Sequence, residues 1–450
     1  MNIKFYGAAR EVTGSSYLLS LDDDIKVFID AGYFQGPEEN LLKNDHKINV
    51  DWSKVKYLFL THAHYDHCGR IPIYYKQGFR GKIISTEPTR EITKIVWYDS
   101  LRINSHKGTP IVSKPLFNGD DVAGAEQLFE VYDYEQKIKL DHGITAMFFD
   151  AGHILGSASV QIIFQGQAIA FSGDLGNTPT ALLNNTEVPS PAQYVIMEST
   201  YGDRLHDDYN HRREILKESI LQVQKTGSTL LIPSFAIERS QELLFDLNNL
   251  VESKEVAKLP VFLDSPMAID VTALFNKYRQ FLSPEIARHF SSGDDPFNFP
   301  NLTFTPSVDE SKSINEVSGP KIIIAGSGMM HGGRVVHHLK RVLPNENSII
   351  LIVGYQVEGT LGRQIQDGAP AVSIEDEIFE VRSQIKRIES YSAHADQNQL
   401  MMWLKSFNPL PSKVFLTHGE STSLEVLSAL ITRDCRIPVT IPKLGDQITL

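Results

Sequence analysis

Read for the spacing of its apolar positions, the chain falls into three rhythms. The first is strand-like. Ile3–Tyr6, Ser16–Ser20 and Ile25–Ile29 are short β runs with turns at Gly14 and Asp22–Asp24. Lys54–Leu60 predicts a buried strand and Arg70–Lys76 the helix that follows it. Residues 88–107 and 118–131 carry helical spacing, and strands return at Ile144–Phe149, Ser159–Phe164 and Ala168–Phe171. From about residue 205 helix and strand alternate. Arg213–Leu221, Gln241–Leu247 and Val271–Lys277 read as helices, and Thr229–Ile232, Val261–Leu263, Lys321–Ile324 and Ser348–Val353 as strands. That alternation predicts an α/β unit on a parallel sheet. Ser291–Pro300 reads as a loop. The third rhythm returns to short strands that end in polar residues, as in Lys413–Leu416 before Thr417-His418. The expected organisation is therefore a first domain over 1–204 and 370–450, interrupted by an inserted domain over 205–369. No short internal repeat is evident.

Composition narrows the class without naming it. At 450 residues, 42% hydrophobic and 22% charged, the chain can bury more than one core. No apolar run reaches the length of a membrane span, and Met1–Tyr6 reads as a first strand rather than a signal peptide. Two cysteines, Cys68 and Cys435, exclude a disulfide framework, so the expected location is cytoplasmic. The net charge of −12 argues against broad nonspecific binding to nucleic acid, which rests on Lys and Arg at phosphates. It leaves room for a local basic cleft around a cationic site.

The chemistry concentrates where strands end. Thr61-His62-Ala63-His64-Tyr65-Asp66-His67 holds four candidate ligands just after the Lys54–Leu60 strand. In extended backbone His62, His64 and Asp66 share one side, and His67 follows at the turn. Nitrogen and carboxylate donors of this kind suit zinc better than calcium. Further candidates follow later strands: His153 after Phe149-Asp150, Asp174 after Phe171-Ser-Gly, and His418 in Leu416-Thr-His, an echo of Leu60-Thr-His62. Taken alone, His153 would read as a core histidine and Asp174 as a turn residue. His62, His64, Asp66, His67, His153, Asp174 and His418 are too many for one tetrahedral zinc. They suffice for two metals if a carboxylate bridges, and Asp174 is the natural bridge. A pair roughly 3.5–4 Å apart can hold a hydroxide and clamp a phosphoryl group.

These motifs resemble a known family. His62-Ala-His64-Tyr-Asp66-His67, with Asp30, His153 and Asp174 in order, resembles the metallo-β-lactamase signature. Glu198 in Glu-Ser-Thr-Tyr-Gly, His394 in Ser-Ala-His-Ala-Asp and His418 in Thr-His-Gly resemble the extra motifs of the β-CASP nucleases. That group includes ribonuclease J and the endonuclease subunit of pre-mRNA 3′-end processing. The resemblance implies an α/β fold, an αββα sandwich with an inserted β-CASP parallel-sheet domain. It implies two zinc ions, one held by His62, His64, His153 and Asp174, the other by Asp66, His67, Asp174 and His418. Asp30 would orient a ligand from behind. His394 would be the general acid at the leaving 3′ oxygen, and Glu198 would position it. Histidine rather than valine at position 418 is the mark of the RNA-processing members.

Ile324-Ala-Gly326-Ser327-Gly328-Met-Met-His331-Gly-Gly-Arg334 lies between a strand and a helix. Its spacing does not fit a dinucleotide fingerprint, and a tight turn is its plain reading. The resemblance favours backbone contacts from Gly326, Ser327 and Gly328 to substrate phosphates, with Arg334 and Arg363 as guanidinium partners. The expected activity is a zinc-dependent ribonuclease with a two-metal hydroxide mechanism, a phosphodiesterase acting on single-stranded RNA without a membrane. A homodimer stays open. The chain stops soon after His418, which favours an endonuclease over the rival 5′ exonuclease. Two other readings stand beside it: a small-substrate hydrolase of the same fold, and an inactive RNA-binding scaffold.

Overall fold

The computed structural model describes residues 1–105, 115–207, 211–330 and 332–450. The chain divides into one unit of residues 1–205 with 394–450 and a second of residues 206–393.

Two seven-stranded sheets make the first unit. One runs Gln447–Thr449, Asn2–Phe5, Tyr17–Ser20, Lys26–Ile29, Val55–Phe59, Lys82–Ser85, Phe129–Val131. The other runs Val439–Thr440, Lys413–Leu416, Tyr194–Met197, Gln167–Phe171, Ala158–Phe164, Thr145–Asp150, Ile138–Lys139. Alternate residues explain why they face each other. Ile3, Phe5, Val27, Ile29, Tyr57 and Phe59 from the first sheet join Ala146, Phe148, Val160, Ile162 and Phe171 from the second in one buried cluster. The opposite parity of the second sheet, Val195, Met197, Val414 and Leu416, packs on the helices Gln397–Lys405 and Ser421–Cys435. Phe28, on the outer face of the first sheet, stacks on Trp52 and tilts against Tyr74 of the helix Ile71–Gln77. Helices therefore cover the outer faces and the apolar core lies between the sheets, an αββα sandwich.

Strand direction sets where polar residues gather. Lys26–Ile29 and Val55–Phe59 run parallel, as do Gln167–Phe171, Tyr194–Met197 and Lys413–Leu416. Parallel strands deliver their carboxyl ends to one edge, so Asp30 and His62 share an edge of one sheet, and Asp174, Glu198 and His418 an edge of the other.

The second unit is a six-stranded, all-parallel sheet in the order Leu302–Phe304, Val261–Asp264, Lys321–Ala325, Thr229–Pro233, Ile349–Ile352, Gln384–Arg387. Its last strand corrects the expected boundary at residue 370. Gln384–Arg387 pairs with Ile349–Ile352, and Val372 and Ile374 sit in this unit's core. Residues 370–393 therefore belong to the insertion, and the chain re-enters the sandwich at His394. A second correction concerns residues 118–131. The helix Gly119–Glu126 starts at an Asn118 capping box, but Phe129–Val131 is an edge strand paired with Lys82–Ser85. The helix expected over 88–107 covers Glu87–Ser105, and residues 106–107 and His331 lie outside the described residues. Among the described residues no helix is long and apolar enough to cross a membrane.

Candidate metal centre

His62 follows the Val55–Phe59 strand, and the short helix Tyr65–Cys68 turns His67 inward. Close backbone approach makes that turn possible. A Cβ on Gly32 would lie 1.5 Å from the carbonyl oxygen of Asp66, so only glycine lets the loop after Asp30 pass there. Gly173, at φ +59°, plays the same part before Asp174, where a Cβ would meet Thr61 at 2.9 Å. Two site residues themselves sit in the left-handed region, Asp30 at φ 59° and His418 at φ 49°. Each is pinned by its amide: Asp30 N–H donates to Phe59 O at 2.9 Å, and His418 N–H to Ala8 O at 2.8 Å. Such strain persists where the surrounding structure over-determines it.

Asp174 is the hub. Its Oδ2 lies 3.4 Å from His62 Nε2 and 3.7 Å from His153 Nε2. His64 Nδ1 lies 3.1 Å from each of those two nitrogens. Its Oδ1 lies 3.3 Å from His67 Nε2 and 3.7 Å from His418 Nδ1, and His418 Nε2 is 3.5 Å from Asp66 Oδ2. His62, His64, His153 and Asp174 each offer a ligand atom within 4.8 Å of the others, and so do Asp66, His67 and His418. The other six expected ligands are thus gathered about the Asp174 carboxylate in two groups.

The donors fit a cation. Among the described residues, the buried atoms His67 Nε2 and Asp174 Oδ1 have no hydrogen-bond partner, although they face each other. Burying such atoms unpaired costs free energy that coordination would recover. Burial lowers the His62 pKa well below the usual histidine value and takes His64 down to about 4, so both are neutral, the form in which imidazole binds a metal. Burial opposes ionisation of Asp174, but the imidazoles of His418, His67 and His62 hold its carboxyl well below the usual range. His67 goes the other way. Burial works against its charge, yet Asp174 and Asp30 raise its pKa well above the ordinary value.

Behind these ligands Asp30 is buried. Its oxygens accept from Thr61 N–H at 2.8 Å, Thr61 Oγ1 at 2.9 Å and His67 Nδ1 at 2.7 Å. That fixes the His67 ring with Nε2 aimed at Asp174.

His394 enters from the returning chain. An antiparallel bridge to Gly176 and the Ala395 N–H bond to Leu175 O (2.8 Å) hold it beside the loop that carries Asp174. Its Nδ1 lies 3.2 Å from Glu198 Oε1 and 3.9 Å from Asp174 Oδ2. Glu198 is itself fixed, accepting from Leu175 N–H at 2.7 Å and Thr200 N–H at 3.2 Å. Burial would lower the His394 pKa, but the charges of Glu198, then Asp174 and Asp66, raise it to about 8. Cations on Asp174 and Asp66 would cancel their shares and leave Glu198 as the partner that favours imidazolium.

The glycine-rich loop and the two arginines belong to the other unit. Gly326–Gly328 follow the carboxyl end of Lys321–Ala325, the place where parallel sheets bind ligands. A Cβ on Gly328 would meet the Phe235 ring at 2.6 Å. Met330 N–H donates to Ser327 O at 3.1 Å, so the loop folds on itself. Arg334 lies in a closed network. Its guanidinium reaches Asp264 Oδ1 at 2.7 Å, Pro306 O at 2.7 Å and the Thr305 carbonyl. Arg363 pairs with Asp367 at 2.9 Å on a helical turn.

Two residues escaped the sequence reading. The Thr61 hydroxyl joins Asp30 to His62 Nδ1, 3.0 Å away, and the Thr200 hydroxyl reaches the Nδ1 atoms of His394 and His418. No spacing rule marks a hydroxyl that works through another side chain.

With this geometry in hand, comparison with known proteins is specific. The metallo-β-lactamase superfamily profile matches residues 9–234, the β-CASP domain 240–365, and the Zn-dependent metallo-hydrolase RNA specificity domain 378–442. The chain belongs to the metallo-β-lactamase superfamily, in its β-CASP group of RNA-specific nucleases, and is a metal-dependent hydrolase. It is 37% identical over 434 residues to Ribonuclease TTHA0252 of Thermus thermophilus, covering 96% of both chains. It is 31% identical to an RNase J-like protein of Methanocaldococcus jannaschii, covering 100% of this chain and 99% of that one. It is also 31% identical to the transcription termination factor FttA of the same organism, covering 71% of that protein. A crystal structure of an Enterococcus faecalis protein of unknown function shares the fold, with a TM-score of 0.56 at 13% identity over 100% of this chain and 99% of that one.

Proposed function

We propose that the protein is a two-zinc ribonuclease that cuts single-stranded RNA internally, leaving a 5′ phosphate and a 3′ hydroxyl. The observation that carries this reading is the division of Asp174, whose Oδ2 faces one set of imidazoles and whose Oδ1 faces another. His62, His64 and His153 would complete one site with Oδ2, and Asp66, His67 and His418 the other with Oδ1. When bound there, zinc supplies Lewis acidity to a phosphoryl oxygen and makes water acidic enough to attack near neutral pH.

The chain's own groups supply the rest. Glu198 takes the His394 Nδ1–H, so the transferable proton sits on Nε2, and the carboxylate stabilises the imidazolium form until that proton passes to the leaving 3′ oxygen. Asp30 and Thr61 keep His67 and His62 from rotating away. RNA as the substrate is supported by the RNA specificity profile over 378–442, which spans both His394 and His418, and by relatives named as a ribonuclease and an RNase J-like protein. Gly326, Ser327, Gly328 and Arg363 remain the proposed phosphate contacts.

One experiment separates the parts of this reading. Matched single-stranded RNA and DNA are offered at fixed salt with zinc, beside a covalently closed circle of the same RNA. Cleavage of linear RNA and of the circle, with DNA slower, is expected. DNA cut as fast as RNA would overturn the substrate, an intact circle would overturn internal cutting, and no cleavage at all would leave a binding scaffold.

A further inference from the structure

Thr200 lies two residues beyond Glu198, in the turn that follows the strand Tyr194–Met197, and is 6% exposed. Its hydroxyl oxygen is 3.1 Å from His418 Nδ1, 3.3 Å from His418 O and 3.4 Å from His394 Nδ1. A hydroxyl has one proton to give and lone pairs to accept with. The Thr200 hydroxyl donates to His418 O, whose other lone pair accepts from Ser199 N–H. His394 Nδ1–H has a charged acceptor in Glu198 Oε1 at 3.2 Å, nearer than the hydroxyl. The remaining pairing is His418 Nδ1–H donating to Thr200 Oγ1. In this assignment the Thr200 hydroxyl gives one hydrogen bond, to His418 O, and takes one, from His418 Nδ1. It leaves the second nitrogen of His418, Nε2, as the lone-pair atom, 3.5 Å from Asp66 Oδ2.

The turn is braced for this task. Thr200 N–H donates to Glu198 Oε2 at 3.2 Å, Ser199 N–H donates to His418 O at 3.0 Å, and Ser423 Oγ donates to Thr200 O at 3.4 Å. The hydroxyl therefore sits on the same rigid segment as the carboxylate that holds His394. Every one of these groups lies within the sandwich unit.

We propose that Thr200 is a positioning residue that fixes His418 as its Nδ1–H tautomer, presenting Nε2 as the ligand beside Asp66. It thereby sets the second metal site from the same turn that sets the general acid. A hydroxyl is the right device here. It is neutral, so it fixes the ring without adding a charge that would compete with the metal for the histidine, and it can both give and take a hydrogen bond within a buried turn. Valine has the same shape and neither capacity.

This inference rests on the two-zinc reading, and the test keeps the two apart because it first counts metal without RNA. Zinc equivalents and stepwise affinities are measured by competition with a chelator for the wild type, Thr200→Val and Thr200→Ser. The wild type is expected to hold two equivalents. Thr200→Val should keep the tighter one unchanged and hold the second about 10–100-fold more weakly, the range seen when a partner behind a ligand is removed. Thr200→Ser restores the hydroxyl and should restore the second site. In cleavage assays Thr200→Val should lower kcat by a similar factor with KM for RNA unchanged, and excess zinc should recover part of the loss. Should valine disturb the turn, seen as a lowered Tm in the metal-free protein, Thr200→Ala removes the hydroxyl with less bulk and is read the same way. Wild-type second-site affinity in a folded Thr200→Val or Thr200→Ala, or a serine variant as weak as valine, would overturn the role of Thr200. A wild type that holds only one zinc would overturn the two-zinc reading, and this proposal with it.

Discussion

Two carboxylates, each buried among charged neighbours, have opposite surroundings in this molecule. Asp264, in the inserted unit, accepts from Thr305 Oγ1 (2.8 Å), Ser311 Oγ (2.7 Å), Arg334 Nη1 (2.7 Å) and His338 Nε2 (2.7 Å). Each contact is at hydrogen-bond distance and the charge is answered by a guanidinium. Asp174, in the sandwich unit, is ringed by nitrogens of His62, His67, His153, His394 and His418 at 3.3–3.9 Å. Those distances are too long for strong hydrogen bonds, and among the described residues its Oδ1 has no such partner. A buried cluster closed on itself holds a fold together, whereas one whose donors stop short of each other is shaped around something else. The first has its cation in the sequence, as Arg334, and the second calls for one from outside.

The largest expected effect follows from exchanging one oxygen for an amide in each cluster. Asp174→Asn should cost more than the roughly 100-fold typical of a residue behind a metal ligand, because on the proposed two-zinc reading it would weaken both sites at once. Elemental analysis should show zinc falling with turnover while the metal-free fold is kept. Asp264→Asn should do the reverse, retaining zinc and losing stability. A variant of Asp174 that keeps its zinc and most of its turnover would remove the distinction drawn here.

His394 tests whether the open cluster has an edge. It lies 3.9 Å from Asp174 but is also bonded to Glu198, and its side chain is 19% exposed. His394→Ala should keep both metals and the metal-free Tm and lose about 10²–10⁴-fold in kcat, the usual range for a general acid. Loss of zinc instead would make it a ligand, a role its proximity to Asp174 and His418 allows geometrically.

The sequence was most legible where this open cluster is built, because chemistry there follows local rules. The candidates His62, His153, Asp174 and His418 follow closely on strand ends, and four candidates share one six-residue stretch. It was least legible where partners are remote. Arg334 reads as a phosphate contact beside a glycine-rich loop, and its partner Asp264 lies 70 positions earlier, beyond any periodicity. The boundary at 370 failed for a related reason. Nothing local marks which sheet Gln384–Arg387 joins; that is decided by its pairing with Ile349–Ile352. Phe129–Val131, at three residues, is too short to break a helical pattern that precedes it.

Arginine variants sharpen the closed side of the comparison. Arg334→Ala leaves Asp264 without its guanidinium, and breaking a buried pair in this way costs about 3–5 kcal/mol. Chemical denaturation should register that loss. Arg363, half-buried and paired with Asp367, should cost at most about 1 kcal/mol when changed to alanine. If it meets RNA as proposed, its loss appears instead as weaker binding and a shallower salt dependence. Equal stability losses in both variants would mean that the Asp264 cluster is not the lock described.

A third carboxylate falls between the two types and gives the smallest effect. Asp150 is 6% exposed and accepts from Gly152 N–H at 2.9 Å and Asn184 Nδ2 at 3.4 Å, two neutral donors with no cation. Burial, with a contribution from Glu187, pushes its pKa up to about 7. A carboxyl whose pKa rises on folding binds its proton more tightly in the native state. Its contribution to stability is therefore full below the unfolded value of about 3.9 and is lost as pH rises through about 7. A shift of that size has an upper bound of about 4 kcal/mol, which local relaxation and water entry reduce to about 1–2 kcal/mol. Asp150→Asn cannot ionise, so its stability relative to the wild type should improve by about two-thirds of that amount between pH 5 and pH 8, since the rest of the loss falls between about pH 3.9 and pH 5. Because the histidines titrate in both proteins, their effect cancels in the difference. Denaturant midpoints of the metal-free pair at the two pH values read it directly. A difference that does not change with pH would mean that Asp150 has found a compensating charge, and it would then belong with Asp264 as a closed site.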